Sequence, residues 1–331
     1  SIMTKRCKVI SDFFKYIDIY GKEPNLYYKG EEKIKSVIGG IFTLIYLFLY
    51  LGYIGYKLYR FFKKSDFTTY DTFSYQEKEP SVKLSPDNFF GGFGIEDYSN
   101  YDPFIDDTIY YPKAYFIIKY RKNNGPQWNN ISIPLNLVRC NLTKYGEFFR
   151  GKFKDNALNG LHCFDNLTET LLGHFSYDNY SYIYIELYPC TNNTSNNNKC
   201  KPKEIIDSVL KNTFLCMEFQ DVELSPQNYS YPVQPRNQDI YFKVGEKQLQ
   251  EVHIFFQILK IETDVELIGF DEFPNIETKD FLKYHSTYEM PIIVDLDENQ
   301  PFCVITIKLH DQTRTQRRTY TKLLQLWGDV G

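Results

Sequence analysis

Hydrophobic residues along this chain fall into three patterns, and each predicts a different element. The first is an unbroken run. From Val37 to Tyr56 no residue is charged, and the run continues to Phe61 as VIGGIFTLIYLFLYLGYIGYKLYRF. Twenty residues at a helical rise of about 1.5 Å span about 30 Å of hydrocarbon. Lys57, Arg60, Lys63 and Lys64 follow, placed to reach an interface. The run predicts a transmembrane helix over 37–61. A core helix of a soluble protein rarely stays uncharged for so long. A cleaved signal peptide would start earlier, be shorter and end on small residues, so the run reads as a signal anchor. Within it, Gly52 and Gly55 share a face, and Gly39 and Gly40 form a notch at the cytosolic end. These four are the expected helix-packing positions, against the plainer reading that membrane helices simply tolerate glycine.

The second pattern is helical and amphipathic. In KVISDFFKYIDIY (8–20), Val9, Ile10, Phe13, Phe14 and Ile17 share one face, and Gly21 ends the element. Such a helix suits a cytosolic leaflet or a partner subunit. A second helix is expected in KPKEIIDSVLKN (201–212), with Pro202 at its start. The third pattern alternates. AYFIIKY (114–120), SYIYIELY (181–188), QDIYFKV (238–244), EVHIFFQILKIET (251–263), PIIVDL (291–296) and FCVITIKL (302–309) read as strands. In 181–188, Ile183, Ile185 and Leu187 form one face and Tyr and Glu the other. The polar stretch 65–88 reads as a stalk or an edge strand. The fold class expected is membrane-anchored and mainly β: an N-terminal transmembrane helix, then a β-sandwich-like domain with one short helix. The expected segments are 1–36 cytosolic, 37–61 transmembrane, 62–310 outer domain and 311–331 membrane-proximal. After Arg314, Arg317 and Arg318, Leu323, Leu326, Trp327 and Val330 have helical spacing, and a second membrane helix could begin where the chain stops.

Charge and modification signals orient this layout. Residues 1–64 hold 12 Lys/Arg and 5 Asp/Glu, against chain totals of 38 and 42. The remainder is therefore acidic, with 26 basic and 37 acidic residues, which argues against nucleic-acid binding. The basic end suits an anionic membrane surface. N-glycosylation sequons occur at Asn130, Asn141, Asn166, Asn179, Asn192, Asn193 and Asn228, all after the membrane run and none before it. With eight Lys/Arg in the first 36 residues, this places the N-terminus in the cytosol and the main domain in the lumen or outside the cell. Cys7 is then a cytosolic thiol. Of the other six, Cys190 and Cys200 bracket a polar loop and Cys140 and Cys163 bracket a longer one, so both pairs are expected as disulfides. Cys216 and Cys303, both in apolar strands, are expected to pair with each other or to stay buried as thiols. Zinc is the rival reading for the cysteines, but the CxxC pairs of common zinc modules are missing.

No GxSxG, HExxH, GxGxxG or P-loop occurs. His162, His174, His253, His285 and His310 are scattered along the chain. Glu96, Asp97, Asp102, Asp106 and Asp107, and separately Asp295, Asp297 and Glu298, could offer oxygens to calcium, but neither group has a known loop spacing, so solvated turns are expected. The RTQRR run (314–318) is expected to meet lipid headgroups or a partner. No catalytic residue, metal or cofactor is expected beyond N-linked glycans.

The segments FKYIDIYGKEPNLYYKG (14–30), KSVIGGIFTLI (35–45), LHCFDN (161–166), YPC and CKPKEIID (188–207) and RRTYTKLLQLWGDVG (317–331) resemble a family of two-pass membrane glycoproteins common in ciliates. High Asn, Tyr, Lys and Ile usage fits an AT-rich ciliate genome. The N-terminal part also looks like the ERGIC-type cargo receptors, which share the order tail, helix, β-rich luminal domain, helix. The function expected is a non-catalytic structural or accessory subunit of a membrane assembly, with lipids and other membrane proteins or further copies of itself as partners. The alternatives are a cargo or ligand receptor of the secretory pathway, and an enzyme with an unrecognised site.

Overall fold

The uncharged run folds as one continuous helix, α1 (Val37–Phe62). This computed structural model describes residues 12–17, 36–75, 77–122, 127–145, 158–191, 200–244, 248–266, 268, 275–293 and 299–330. Ser36 caps α1 by accepting a hydrogen bond from the Gly39 N–H at 2.9 Å, satisfying one of the free donors of the first turn. By length and composition α1 can cross a membrane, and only 11% of its most apolar window is buried against the rest of the chain.

Two compact units divide the chain: Ser1–Phe67 with Val265–Asn275 and Tyr320–Gly331, and Thr68–Asp264 with Ile276–Thr319. In the first unit residues 12–16 are helical, and the rest of the expected 8–20 helix lies outside the described residues. A Cβ on Gly40 would collide with the Phe14 carbonyl. The Gly40 notch is therefore filled from within the chain. A Cβ on Gly52 or Gly55 would meet nothing within 4 Å. The last helix, α3 (Leu323–Val330), is tied to α1 by Lys57 Nζ donating to Asp329 Oδ2 at 3.1 Å.

The second unit is a β-sandwich. Its larger sheet has seven strands in the order β14 (Ile276–Ile293), β13 (Gln248–Asp264), β15 (Cys303–Tyr320), β10 (Asn179–Pro189), β5 (Tyr110–Arg121), β6 (Trp128–Leu135), with β1 (Phe67–Tyr75) also on β15. The β13–β15 pairing is parallel and the β15–β10, β10–β5 and β5–β6 pairings are antiparallel. The six-stranded sheet runs β12 (Val233–Lys243), β11 (Thr213–Leu224), β3 (Gly91–Asp97), β8 (His162–Phe164), β7 (Leu137–Arg139), with β4 (Pro103–Phe104) on β3. A small pair, β2 (Ser81–Lys83) and β9 (Thr170–Leu172), stands apart.

Period-two alternation builds the core. Ile183, Ile185 and Leu187 of β10, Ile254 and Phe256 of β13, and Ile305 and Ile307 of β15 face Phe93, Leu215, Met217 and Phe219 of the other sheet in one buried cluster. Ile206 of α2 (Lys203–Lys211) joins that cluster. Gly92 and Gly94 in β3 make room for Leu161 and the Cys140 sulfur, which would lie within 3.3 Å of added Cβ atoms.

Cys140–Cys163 and Cys190–Cys200 are disulfides. Of the two outcomes expected for Cys216 and Cys303, the bond is not present and the other holds: both are buried free thiols. Cys216 lies on the six-stranded sheet in a small cluster with Phe90 and Leu161, whereas Cys303 lies on the seven-stranded sheet in the main core. Three strand boundaries also change. Residues 291–293 are the tail of the long strand β14, and 294–298 lie outside the described residues. Of the two readings of 65–88, the strand holds and the stalk does not: it contains β1, paired on β15, and β2, paired on β9. The RTQRR run belongs to β15, so 311–320 is sheet. Arg314 Nε donates to both carboxylate oxygens of Asp71 at 3.0 Å. Arg318 is 1% exposed and donates to Thr263 Oγ1 and to the carbonyls of Asn228 and Tyr229 at 2.6–2.8 Å.

Candidate functional site

Strand alternation that sends Ile183, Ile185 and Leu187 inward sends Tyr180, Tyr182, Tyr184, Glu186 and Tyr188 outward. Register sets the neighbours of this row. Tyr180 stands opposite Lys119, Tyr182 opposite Ile117 on one side and Lys308 on the other, and Tyr188 opposite Tyr111. Farther out, Arg121 opposes Trp128 and Lys119 opposes Asn130. On the other flank Lys308 opposes Phe255, and His253 opposes Tyr288.

A continuous belt of rings and cations crosses the outer face of the sheet. Tyr288 stacks on His253 with centroids 6.4 Å apart, and His253 Nδ1 lies 3.3 Å from Lys308 Nζ. Lys308 sits over the Tyr182 ring at 5.7 Å, and Lys119 over Tyr182 at 5.7 Å and Tyr180 at 5.9 Å. Tyr180 meets Trp128 edge-on at 5.1 Å, and the Arg121 guanidinium covers Trp128 at 4.3 Å. A second cluster on the same face stacks Tyr111 on Tyr188 at 5.5 Å, with Lys113 4.6 Å above Tyr188. Cations within about 6 Å of a ring centroid are held by its quadrupole. Tyrosines of this kind present an apolar body and a polar tip.

Electrostatics of the belt follow from partial burial and close packing. Burial raises the Tyr182 hydroxyl, partly offset by Lys119, and pushes Tyr184 up to about 12 with help from Glu186. Burial pulls Lys119 down, but Tyr182 and Tyr180 outweigh it and its ammonium is held above the usual range. Lys308 and His253 are both lowered, chiefly by burial. Among the described residues Lys113, Lys119 and Lys308 form no ion pair with a carboxylate, and Arg121 has only Asp178 at 3.9 Å.

Beside the belt, two irregularities bring histidines together. β14 breaks register against β13 between Phe255 and Phe256, and β15 breaks register between Phe256 and Ile258. His285 and His310 sit at these bulges with ring centroids 4.1 Å apart, and His174 lies 6.2 Å from His310. Bulges re-aim side chains, which is why histidines scattered in sequence meet in space. His310 Nδ1 accepts the Gln312 N–H at 3.1 Å. Burial lowers His174, His285 and His310 below the usual histidine range.

Other expected site residues are dispersed. Asn130, Asn141, Asn166, Asn179 and Asn228 are all exposed, and Asn166 adopts φ 56°, a conformation asparagine tolerates. Asn192 and Asn193 lie outside the described residues, as do Asp295, Asp297 and Glu298. Asp106 pairs with Lys201 at 2.8 Å, and Asp97 accepts the Ser99 N–H. Among the described residues no group of three His, Cys, Asp or Glu side chains, the three histidines included, has the geometry to hold a metal ion.

The fold thus defines a β-sandwich protein with one helix able to span a membrane and an aromatic, cation-lined sheet face. The chain belongs to the family described as the uncharacterised 80 kDa protein N-terminal domain, whose model matches residues 92–310. That range runs from β3 into β15 and so covers both sheets without α1. No curated protein matches. The crystal structure of Erv41p is similar over 72% of this chain and 99% of that chain, at 10% identity and a TM-score of 0.24. At that score the likeness bears on neither fold nor function.

Proposed function

We propose that this protein is a non-catalytic accessory subunit of a membrane assembly, anchored by α1, with the outer face of the seven-stranded sheet as its contact surface. The observation that carries the reading is the belt from Tyr288 to Arg121. Tyr, Trp and Arg are the residues enriched where proteins are bound tightly. The belt also holds its side chains in place before any partner arrives, which lowers the cost of association. In this reading the N-terminus is cytosolic and the sandwich is luminal or extracellular. The one-sided sequons support that orientation, and the five described ones are exposed. Gly52 and Gly55, open on the α1 surface, are the positions for a second membrane helix to approach.

Affinity purification of the full chain from its native membrane tests the proposal. A stoichiometric partner that is lost on Lys113→Gln/Lys119→Gln/Lys308→Gln supports it, and a further loss with Gly52→Leu/Gly55→Leu places part of the contact in the membrane. Only substoichiometric trafficking partners would favour the alternative, a cargo or ligand receptor using the same open face. Loss of partners on neither variant would refute both surfaces.

A further inference from the structure

We propose that the occupant of the belt is an extended acidic sugar chain, sulfated or carboxylated. This rests on the reading of the outer sheet face as a contact surface on the non-cytosolic side.

Backbone N–H and C=O groups of the sheet's inner strands are spent in the ladder, so an occupant of its face meets side chains only. A peptide brings unpaired backbone groups that a sheet face cannot satisfy; such groups pair at sheet edges. A sugar chain differs. Each ring carries an apolar CH face that lies flat on an aromatic ring, and its acidic groups stand at the periphery. The belt offers both chemistries together: rings of Tyr180, Tyr182 and Trp128, and the cations of Lys119, Lys308 and Arg121 lying over them 4.3–5.9 Å from the centroids. Six strands spaced as in ordinary sheets make the platform roughly 24 Å wide.

Charge complementarity points the same way. The chain beyond residue 64 has 26 basic and 37 acidic residues, yet this face gathers cations without ion-pair partners other than Asp178 beside Arg121. Its own carboxylates, Glu186 and Glu251, serve neighbours: Glu186 bonds to Tyr184 and Tyr188, and Glu251 lies 3.1 Å from His253. An acidic ligand therefore finds attraction here and repulsion over most of the rest. Asn130 marks the rim of the belt on β6, so a glycan there would flank the platform.

Trp128 supplies a built-in reporter. The chain has two tryptophans, and Trp327→Phe leaves Trp128 as the only indole. The experiment titrates this full-length variant in lipid nanodiscs with a heparin-derived octasaccharide, a neutral malto-octaose and an oligoglutamate. The expected result is a saturable change in Trp128 emission with the sulfated octasaccharide alone, weakened by salt. Lys113→Gln/Lys119→Gln/Lys308→Gln, whose thermal melt should match the parent, is expected to bind about tenfold more weakly or worse. No saturable response, an unchanged affinity in the triple variant, or tighter binding of oligoglutamate would overturn the proposal. If the triple variant loses a co-purified protein partner while no sugar binds, the sugar inference fails and the contact-surface reading stands. If endoglycosidase leaves the mobility of the native chain unchanged, the orientation beneath both is wrong.

Discussion

Replacing His162 tests how burial sets the acid stability of the sandwich. The ring is 8% exposed, between Phe93 and Tyr110 with centroids 5.9 Å away on each side. Its Nε2 is buried and has no hydrogen-bond partner among the described residues. Burial lowers its pKa from 6.5 to about 4, against a smaller opposing pull from Asp107 and with a slight push from Arg139. The folded state therefore resists protonation. Stability from this group is complete above the unfolded value of 6.5 and is lost as pH falls towards the folded value of about 4. At 1.36 kcal/mol per unit, linkage predicts a loss of about 2 kcal/mol by about pH 5 and about 3 kcal/mol below pH 4. His162→Phe keeps an aromatic ring in the slot and removes the proton. Urea unfolding of the full chain, measured at neutral pH and near pH 5, should show a pH-dependent loss about 2 kcal/mol smaller in the variant. An identical loss in both proteins would refute the idea that this ring is buried as a neutral base.

Four further outcomes are expected. Arg318→Met strips three donors from Thr263, Asn228 and Tyr229 and should cost about 3–5 kcal/mol in urea unfolding, with Arg318→Lys recovering part. Non-reducing peptide mapping should find Cys140 joined to Cys163 and Cys190 to Cys200. Cys216 and Cys303, whose thiols burial pushes far above the usual range, should alkylate only after denaturation; labelling in the native state would contradict their placement. Endoglycosidase should shift the gel mobility of the chain by at least three glycans, drawn from Asn130, Asn141, Asn166, Asn179 and Asn228.

Alternation along one strand was legible; assembly across strands was not. The pattern of 181–188 correctly divides the inward Ile183, Ile185 and Leu187 from the outward tyrosines. It carries no information on which cations lie beside those tyrosines, because Lys119 and Lys308 are brought there by register between distant strands. Trp128 gave no signal either: its strand, WNNISIPL, is polar and exposed for most of its length. Two disulfides were legible from loop bracketing. The fate of Cys216 and Cys303 was not, since it depends on which sheet each strand joins. β14 was largely missed because IETKDFLKYHSTYEM has few apolar residues. Its strand character comes from pairing along nearly the whole length of β13, a tertiary effect that overrides local preference. The burial of Arg318 and the pairing of Arg314 with Asp71 were not legible either, because charge in a sequence does not reveal burial.

The position of β15 has a consequence for biosynthesis. β15, the latest in chain order of the strands in the larger sheet, sits in its middle, between β13 and β10. Until it emerges, that sheet exists as two parts: the β13–β14 pair and the three strands β10–β5–β6. Roughly 110 residues separate Pro189 from Cys303, so at ordinary elongation rates β10 waits on the order of ten seconds with an open edge. The β13–β15 pairing is parallel and long-range, the kind that forms slowly. Nascent chains are therefore exposed to edge-to-edge pairing during that interval. Chains truncated before Cys303 should never close the sheet, which makes β15 the checkpoint for completing the domain.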